Sequence, residues 1–416
     1  LAWLLRGGLA RNVLVVCDNA SALDDISRDL IALAPESAPP PLCYPSWDAL
    51  PNSGFTPQPE ITGDRLNTLQ RLRSAAEPRV VASCVQALMQ LAPEPGAVEA
   101  AAVRVAPGVD LDPEALALRL AEAGYDFVPE VSSRNQAARR GGILDVWPAQ
   151  DDAPFRVEFL GNTVESVRAF DPRSQLSTCR ADSIRLCAFD EWRQLAGSGA
   201  GRSLVRHLPG GLVCLWPCSR ARDAGPSGSV RFEDHAAVYW EAVVEARAEP
   251  FHISFEALQR ELADDPDVSQ FRLGWLCPGD PAPGAPGADS GAAGRALPGP
   301  DAPFDLGISA IGEAPRLRRD ALEPDILESE RRRLVGRLCE LAKQGFRVRV
   351  FLNSPGALER FRETNPGAPF ELRAGVLSDG FSWPERRLVV VSESNLTGRG
   401  KRFRGRYDSR ERRRPA

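Results

Sequence analysis

Lysine is nearly missing from this chain. Lys343 and Lys401 are the two in 416 residues, and neither stands in the Gly-x-x-x-x-Gly-Lys-Ser/Thr pattern whose lysine reaches a nucleotide's terminal phosphates. Lys343 reads as helical, and Lys401 precedes Arg402 in a basic tail, so these residues are expected neither to bind nor to hydrolyse ATP. The three histidines, His207, His235 and His252, are scattered. Cys214 and Cys218 are the closest of nine cysteines, with no second Cys or His pair beside them to complete a metal site. Cysteines this sparse, without a short-spaced framework, read as the reduced thiols of a cytosolic protein. The four tyrosines, Tyr44, Tyr125, Tyr239 and Tyr407, form no cluster able to part nucleic-acid strands. No apolar run approaches the ~18 residues of a membrane span. No nucleophile elbow, metalloprotease helix or kinase signature occurs, and Asp24-Asp25 and Asp264-Asp265 read as solvated helix ends. The chain opens Leu1-Ala2-Trp3, without an initiator methionine or a secretory n-region, and reads as incomplete.

What is present is ordinary globular composition, 43% hydrophobic and 26% charged, in a length that implies several domains. Charge is uneven. Arg399 to Ala416 holds eight arginines and Lys401 against Asp408 and Glu411, or +7, so a net charge of −5 leaves −5 − 7 = −12 on the body. An acidic body is a poor duplex-DNA surface, since phosphate neutralisation supplies most nonspecific affinity.

The densest run of turn and strand signals lies between Ala138 and Pro172. Gly141-Gly142 opens a strand at Ile143 to Trp147, and Pro148, Asp151-Asp152 and Pro154 close it. Phe155 to Phe159 is a second strand, and after the Gly161-Asn162 turn Thr163 to Phe170 is a third. A period of two sends Phe155, Val157 and Phe159 to one face and Arg156 and Glu158 to the other. Asp112 to Ala123 supplies the covering helix: Asp112 is its N-cap, Pro113 its first residue, and Leu116, Leu120 and Ala123 its apolar stripe, with Leu118 off it and Gly124 as the stop.

The chain begins with a different rhythm. Asn12 to Cys17 is a continuous apolar run suited to a buried parallel strand, followed by a helix ending near Leu33 with Leu23, Ile26, Leu30 and Ile31 as its stripe. A second strand and helix pair, Arg79 to Cys84 and Val85 to Leu91, suggests a doubly wound α/β sheet. Between them a proline-rich loop from Tyr44 gives way to an amphipathic helix from Ile61. Near the C-terminus, Gly345 to Phe351, Leu377 to Pro384 and Leu388 to Glu393 read as strand regions, a helix lying between the first two.

Trp47-Asp48-x-Leu50-Pro51, Arg65-Leu66-x-x-Leu69, Ala123-Gly124-Tyr125, Arg140-Gly141-Gly142-Ile143-Leu144-Asp145, Pro148, Arg156-Val157-Glu158-Phe159 and Phe170-Asp171 stand in the order of a known pattern. The chain resembles the start of the bacterial transcription-repair coupling factors (Mfd), whose N-terminal portion is homologous to the excision-repair protein UvrB. The resemblance resumes at Gly345-Phe346-Arg347-Val348 and Leu377-x-x-Gly380-Phe381-x-x-Pro384. It implies a multidomain α/β protein. Residues 1–104 and 192–312 would form an incomplete, helicase-like UvrB-type parallel-sheet domain, with a flexible proline- and glycine-rich insertion at 277–303. Residues 105–191 would be an inserted α+β module on which UvrA docks, 322–398 a small α/β domain, and 399–416 a basic linker.

By the same resemblance Arg140, Arg156, Glu158 and Phe159 would make the UvrA contact, although spacing alone also allows a solvated Arg156–Glu158 strand pair and a core Phe159. Leu160 stands where the family has an aromatic. Both arginines flank strands, so their truncation is expected to cost little stability. The implied function is a cytoplasmic adaptor that recruits UvrA in transcription-coupled nucleotide excision repair. It would need no cofactor of its own, with ATP and Mg in motor domains elsewhere in a DNA translocase that displaces RNA polymerase. The rival readings are a truncated UvrB-type enzyme and a self-contained protein-interaction module.

Overall fold

The computed structural model describes residues 2–187, 189–198, 201–208, 210–217, 232–273, 309–310 and 324–397. The insertion 277–303 and the basic stretch 399–416 lie outside the described residues. The chain divides into two compact units. The first comprises Leu1–Ala20, Leu42–Val213 and Arg231–Ser269, the second Ser21–Pro41, Cys214–Val230 and Gln270–Ala416.

In the first unit the apolar run Asn12–Cys17 is a strand, buried at every position as its lack of polar alternation requires. It pairs in parallel with Val80–Cys84, which pairs in parallel with Leu42–Tyr44. This last strand is too short to stand out from the proline-rich loop around it. The helix Pro59–Arg73 begins with proline at its first turn and buries Ile61, Leu66, Leu69 and Leu72. It also buries Arg65, whose side chain has no exposed surface. Arg65 donates from Nη2 to Glu191 Oε1 at 2.7 Å and from Nη1 to Gln90 Oε1 at 2.9 Å. Its guanidinium lies 4.2 Å from the Tyr44 ring centre and 4.5 Å from that of Trp47, so a cation this deep has both a counter-ion and two aromatic faces.

The expected three-stranded meander forms within the same unit as Ile143–Trp147, Phe155–Leu160 and Thr163–Phe170. It is the centre of a six-stranded sheet, extended by Asp126–Phe127 and Gln136–Arg140 on one side and Ser177–Arg180 on the other. The helix Pro113–Glu122 covers one face. Asp112 Oδ1 accepts from Glu114 N at 2.8 Å, and Leu116 and Leu120 join Leu144, Val146, Val157 and Val167 in one apolar core. Leu118 stays 61% exposed, off the stripe as expected. This sheet meets the helix Pro59–Arg73 closely. A Cβ on Gly63 would fall 1.8 Å from Ala149 O, so that crossing admits only glycine.

The second unit holds a five-stranded sheet in the order Ser309–Ala310, Phe381–Trp383, Leu388–Ser392, Arg347–Leu352, Glu371–Ala374. Arg347–Leu352 runs parallel to both its neighbours. Val348, Val350, Leu352, Val389 and Val391 pack on one side with Leu338, Phe361 and Leu396, while Phe351, Val390 and Leu377 pack with Ala32. The helix Ala20–Ala32 departs from its expected stripe. Leu23 is fully buried, but Ile31 is 63% exposed, and Asp24 is buried rather than solvated. Its Asp29 carboxylate accepts from Ser378 N at 2.7 Å, and burial pushes Asp29 up to about 6.

Candidate protein-docking face

Strand register brings the candidate residues together. Alternation in Phe155–Leu160 buries Val157 and Phe159 against the helix-covered core and turns Arg156, Glu158 and Leu160 to the opposite face. Phe159 is therefore a core residue, 9% exposed, rather than a ring offered to a partner. Gly142 lets Phe155–Leu160 approach the turn closely, since a Cβ there would meet Phe159 O at 2.8 Å. Arg140 pairs with Ile143, Ile143 with Glu158, and Glu158 with Ser166, which makes one row across four strands. The neighbouring row runs Ala138, Asp145, Arg156, Arg168, Arg180 across five.

The two candidate arginines differ in what they already hold. Arg156 donates from Nε to Asp145 Oδ1 at 2.7 Å and from Nη2 to Asp145 Oδ2 at 2.8 Å, a bidentate fork. Its Nη1 reaches Gln175 O at 3.3 Å, and its guanidinium lies 5.0 Å from the Phe170 ring centre. The bonds to Asp145 hold its pKa above the usual guanidinium value. Asp145 is 4% exposed at its side chain, so Arg156 neutralises a buried carboxylate. The expectation that truncating Arg156 costs little stability is corrected here, because it would leave that charge unpaired. Spacing could not show this, since Asp145 lies on another strand.

Arg140, by contrast, is 56% exposed at its side chain. It donates to Pro129 O at 2.6 Å and lies 3.9 Å from Glu130. Glu158 accepts from Ser166 Oγ and stands 3.9 Å from Arg168 Nη2. Beside these groups Leu160 is 74% exposed and Ile143 38%, so the open part of the face mixes apolar and charged groups. That mixture is compatible with a protein contact. Where the loop between Asp126–Phe127 and Gln136–Arg140 meets this face, Val131, Ala138 and Phe170 close a small second core. The sequence had given no role to Asp145, Arg168 or Arg180. Alternation with buried neighbours sets Asp145 opposite Leu144 and Val146, and Arg168 opposite Val167 and Ala169, but does not say which of these polar residues meet.

Elsewhere the chemistry is sparse. Among the described residues no group of three or more His, Cys, Asp or Glu could hold a metal ion. The buried thiols of Cys187 and Cys214 are pushed up to about 12 by desolvation, which removes nucleophilic character at neutral pH. No helix among the described residues is long and apolar enough to cross a membrane.

Residues 103–192, which hold this helix-backed sheet, match the family described as the UvrB interaction domain. Over a longer stretch the chain is similar to transcription-repair-coupling factors. It is 34% identical to that of Myxococcus xanthus over 175 residues, 41% of this chain and 15% of the relative. It is 28% identical to that of Bacillus subtilis over 174 residues, 42% and 14%. It is also 27% identical to the UvrABC system protein B of Pseudothermotoga lettingae over 107 residues, 26% and 16%. The matched part thus spans about 15% of the coupling factors' length. It also covers less of this chain than the run of motifs from Trp47 to Pro384.

Proposed function

We propose that this chain is a UvrA-recruiting adaptor acting in nucleotide excision repair, and that the open sheet face around Arg140, Ile143, Glu158 and Leu160 is where UvrA docks. One observation carries the reading: the residues matching the UvrB interaction domain fold so that a mixed charged and apolar strip faces outward while Phe159 completes the core. Arg140 is the candidate direct contact, and Arg156 shapes the face through Asp145. Likeness to the coupling factors supports a place in transcription-coupled repair, within an ATP-driven DNA translocase that displaces stalled RNA polymerase. ATP and magnesium would belong to motor domains of that larger protein, since the lysines of this chain lie outside any phosphate loop.

The test is a calorimetric titration of the chain with purified UvrA, run in parallel on Leu160→Glu. Saturable binding that the variant loses, with its melting temperature kept, supports the assignment. Absence of binding by the parent chain sinks it. The likeness to UvrABC system protein B favours a second reading, a UvrB-type subunit. That reading requires a lysine-bearing phosphate loop in the UvrB-like domain of the full-length protein and DNA-stimulated ATP hydrolysis by it, and a full-length protein without that loop rules the reading out.

A further inference from the structure

The second row of the face carries an imbalance that its own residues leave standing. Asp145, Arg156, Arg168 and Arg180 are direct cross-strand partners in succession, so three guanidinium groups follow one carboxylate. Like charges directly opposite one another on a sheet repel. Asp145 is taken up by Arg156 through both its oxygens. The carboxylate paired with Arg168 is Glu158, 3.9 Å away and already accepting from Ser166 Oγ. Arg168 Nε is buried with no acceptor. Arg180, on the exposed edge strand Ser177–Arg180, has no carboxylate within ion-pair distance among the described residues.

We propose that Arg168 and Arg180 form a specificity-determining pair that receives an acidic segment of the docking protein, with Arg156 as the positioning residue that keeps the row in register. The proposal rests on the docking reading above and adds the chemistry of the partner: side-chain carboxylates arriving over the outer strands, beside the apolar contact at Ile143 and Leu160. Arginine suits this because its planar fork takes a carboxylate bidentately and tolerates desolvation. Several features favour carboxylates of a protein over nucleic-acid phosphates. Glu158 and Glu130 stand in or beside the same face, Leu160 and Ile143 interrupt the charge, and the body of the chain is acidic. Phosphate affinity comes from neutralisation by lysine and arginine, which neighbouring carboxylates oppose.

The experiment uses the full chain and purified UvrA, with affinity measured at two salt concentrations for Arg168→Glu, Arg180→Glu and Arg168→Lys. Arg260→Glu, on the helix Phe255–Asp264, is the control away from the sheet. Each reversal on the face is expected to weaken binding about tenfold or more at low salt and less at high salt, since the interaction is ionic. Arg168→Lys, which keeps the charge but loses the bidentate fork, should weaken binding measurably and by a smaller factor than Arg168→Glu, and Arg260→Glu should match the parent.

Melts accompany every variant. If Arg168→Glu unfolds, Arg180→Glu on the exposed edge strand and Arg168→Lys carry the comparison. Unchanged affinity in both Arg180→Glu and any folded Arg168 variant, while Leu160→Glu still abolishes binding, overturns the pair and leaves the docking reading standing. Failure of the parent to bind UvrA overturns both. Tight duplex-DNA binding that Arg180→Glu removes, without effect on UvrA, reassigns the row to phosphate and overturns the proposal.

Discussion

Arg156 and Asp145 face each other across adjacent antiparallel strands and share two hydrogen bonds of 2.7 and 2.8 Å, although one side chain is 20% exposed and the other 4%. The cost of breaking the pair therefore falls mainly on Asp145, the more deeply buried partner. Arg156→Ala is expected to destabilise the chain by about 3 kcal/mol, because removing one member of a buried pair strands the other. Urea unfolding measures it. The double variant Arg156→Ala with Asp145→Ala should recover part of the loss, and a single variant as stable as the parent would show that the fork contributes nothing.

Arg140 tests the opposite case. It is exposed and bonded to a backbone carbonyl. Arg140→Ala should change stability by no more than about 0.5 kcal/mol while weakening UvrA binding by about 2 kcal/mol, roughly thirtyfold, if it is a central anchor. A titration beside a thermal melt separates the two, and a lowered melt with unchanged affinity would return Arg140 to a structural role.

Phe159→Ala and Gly63→Ala probe packing from both directions. Losing a 9% exposed ring from the core should cost about 3 kcal/mol. Adding a methyl 1.8 Å from Ala149 O forces the backbone apart, for which about 1 to 3 kcal/mol is the usual range of overpacking. Denaturant midpoints report both, and a Gly63→Ala chain with the parent's midpoint would show that the crossing is looser than its geometry.

His252 sets a pH dependence. Its Nε2 lies 3.0 Å from Tyr239 Oη and its Nδ1 2.7 Å from Ala248 O, and burial pushes its pKa down to about 4. The unfolded chain, with histidine near 6.5, binds the proton first, so this contribution to stability is present above pH 6.5 and lost as pH falls towards 4. Asp29 and Asp151, pushed up to about 6 by burial, act with the opposite sign over much of that range. The parent alone is therefore a poor reporter. The stability gap between parent and His252→Gln, from unfolding at pH 7 and pH 5, should narrow at the lower pH. A constant gap would show that His252 titrates alike in both states.

Much of this was legible in the chain itself. The meander, its covering helix and the strand Asn12–Cys17 follow from periodicity, caps and turns, which are local properties. Phe159's place in the core follows from the same alternation that puts Arg156 outside. The Arg156–Asp145 fork and the Arg168 and Arg180 row were hidden because cross-strand register is set by turns and bulges, such as the shift between Val164 and Ser166, which spacing does not encode. Likewise Arg65 gave no sign of burial, since its counter-ion is 126 positions away at Glu191.

That separation bears on how the chain can be cut. Glu191 falls just inside the C-terminal boundary of the stretch 103–192, yet its oxygens complete a site formed by Arg65, Trp47 and Gln90. Excising the whole stretch would take the anion with it and leave a guanidinium sealed between two rings. The remaining sheet would then have to open to water or find another carboxylate. A fragment ending before Glu191 keeps the docking strands and leaves the anion with Arg65, so the family boundary and the boundary that spares this site differ by two residues.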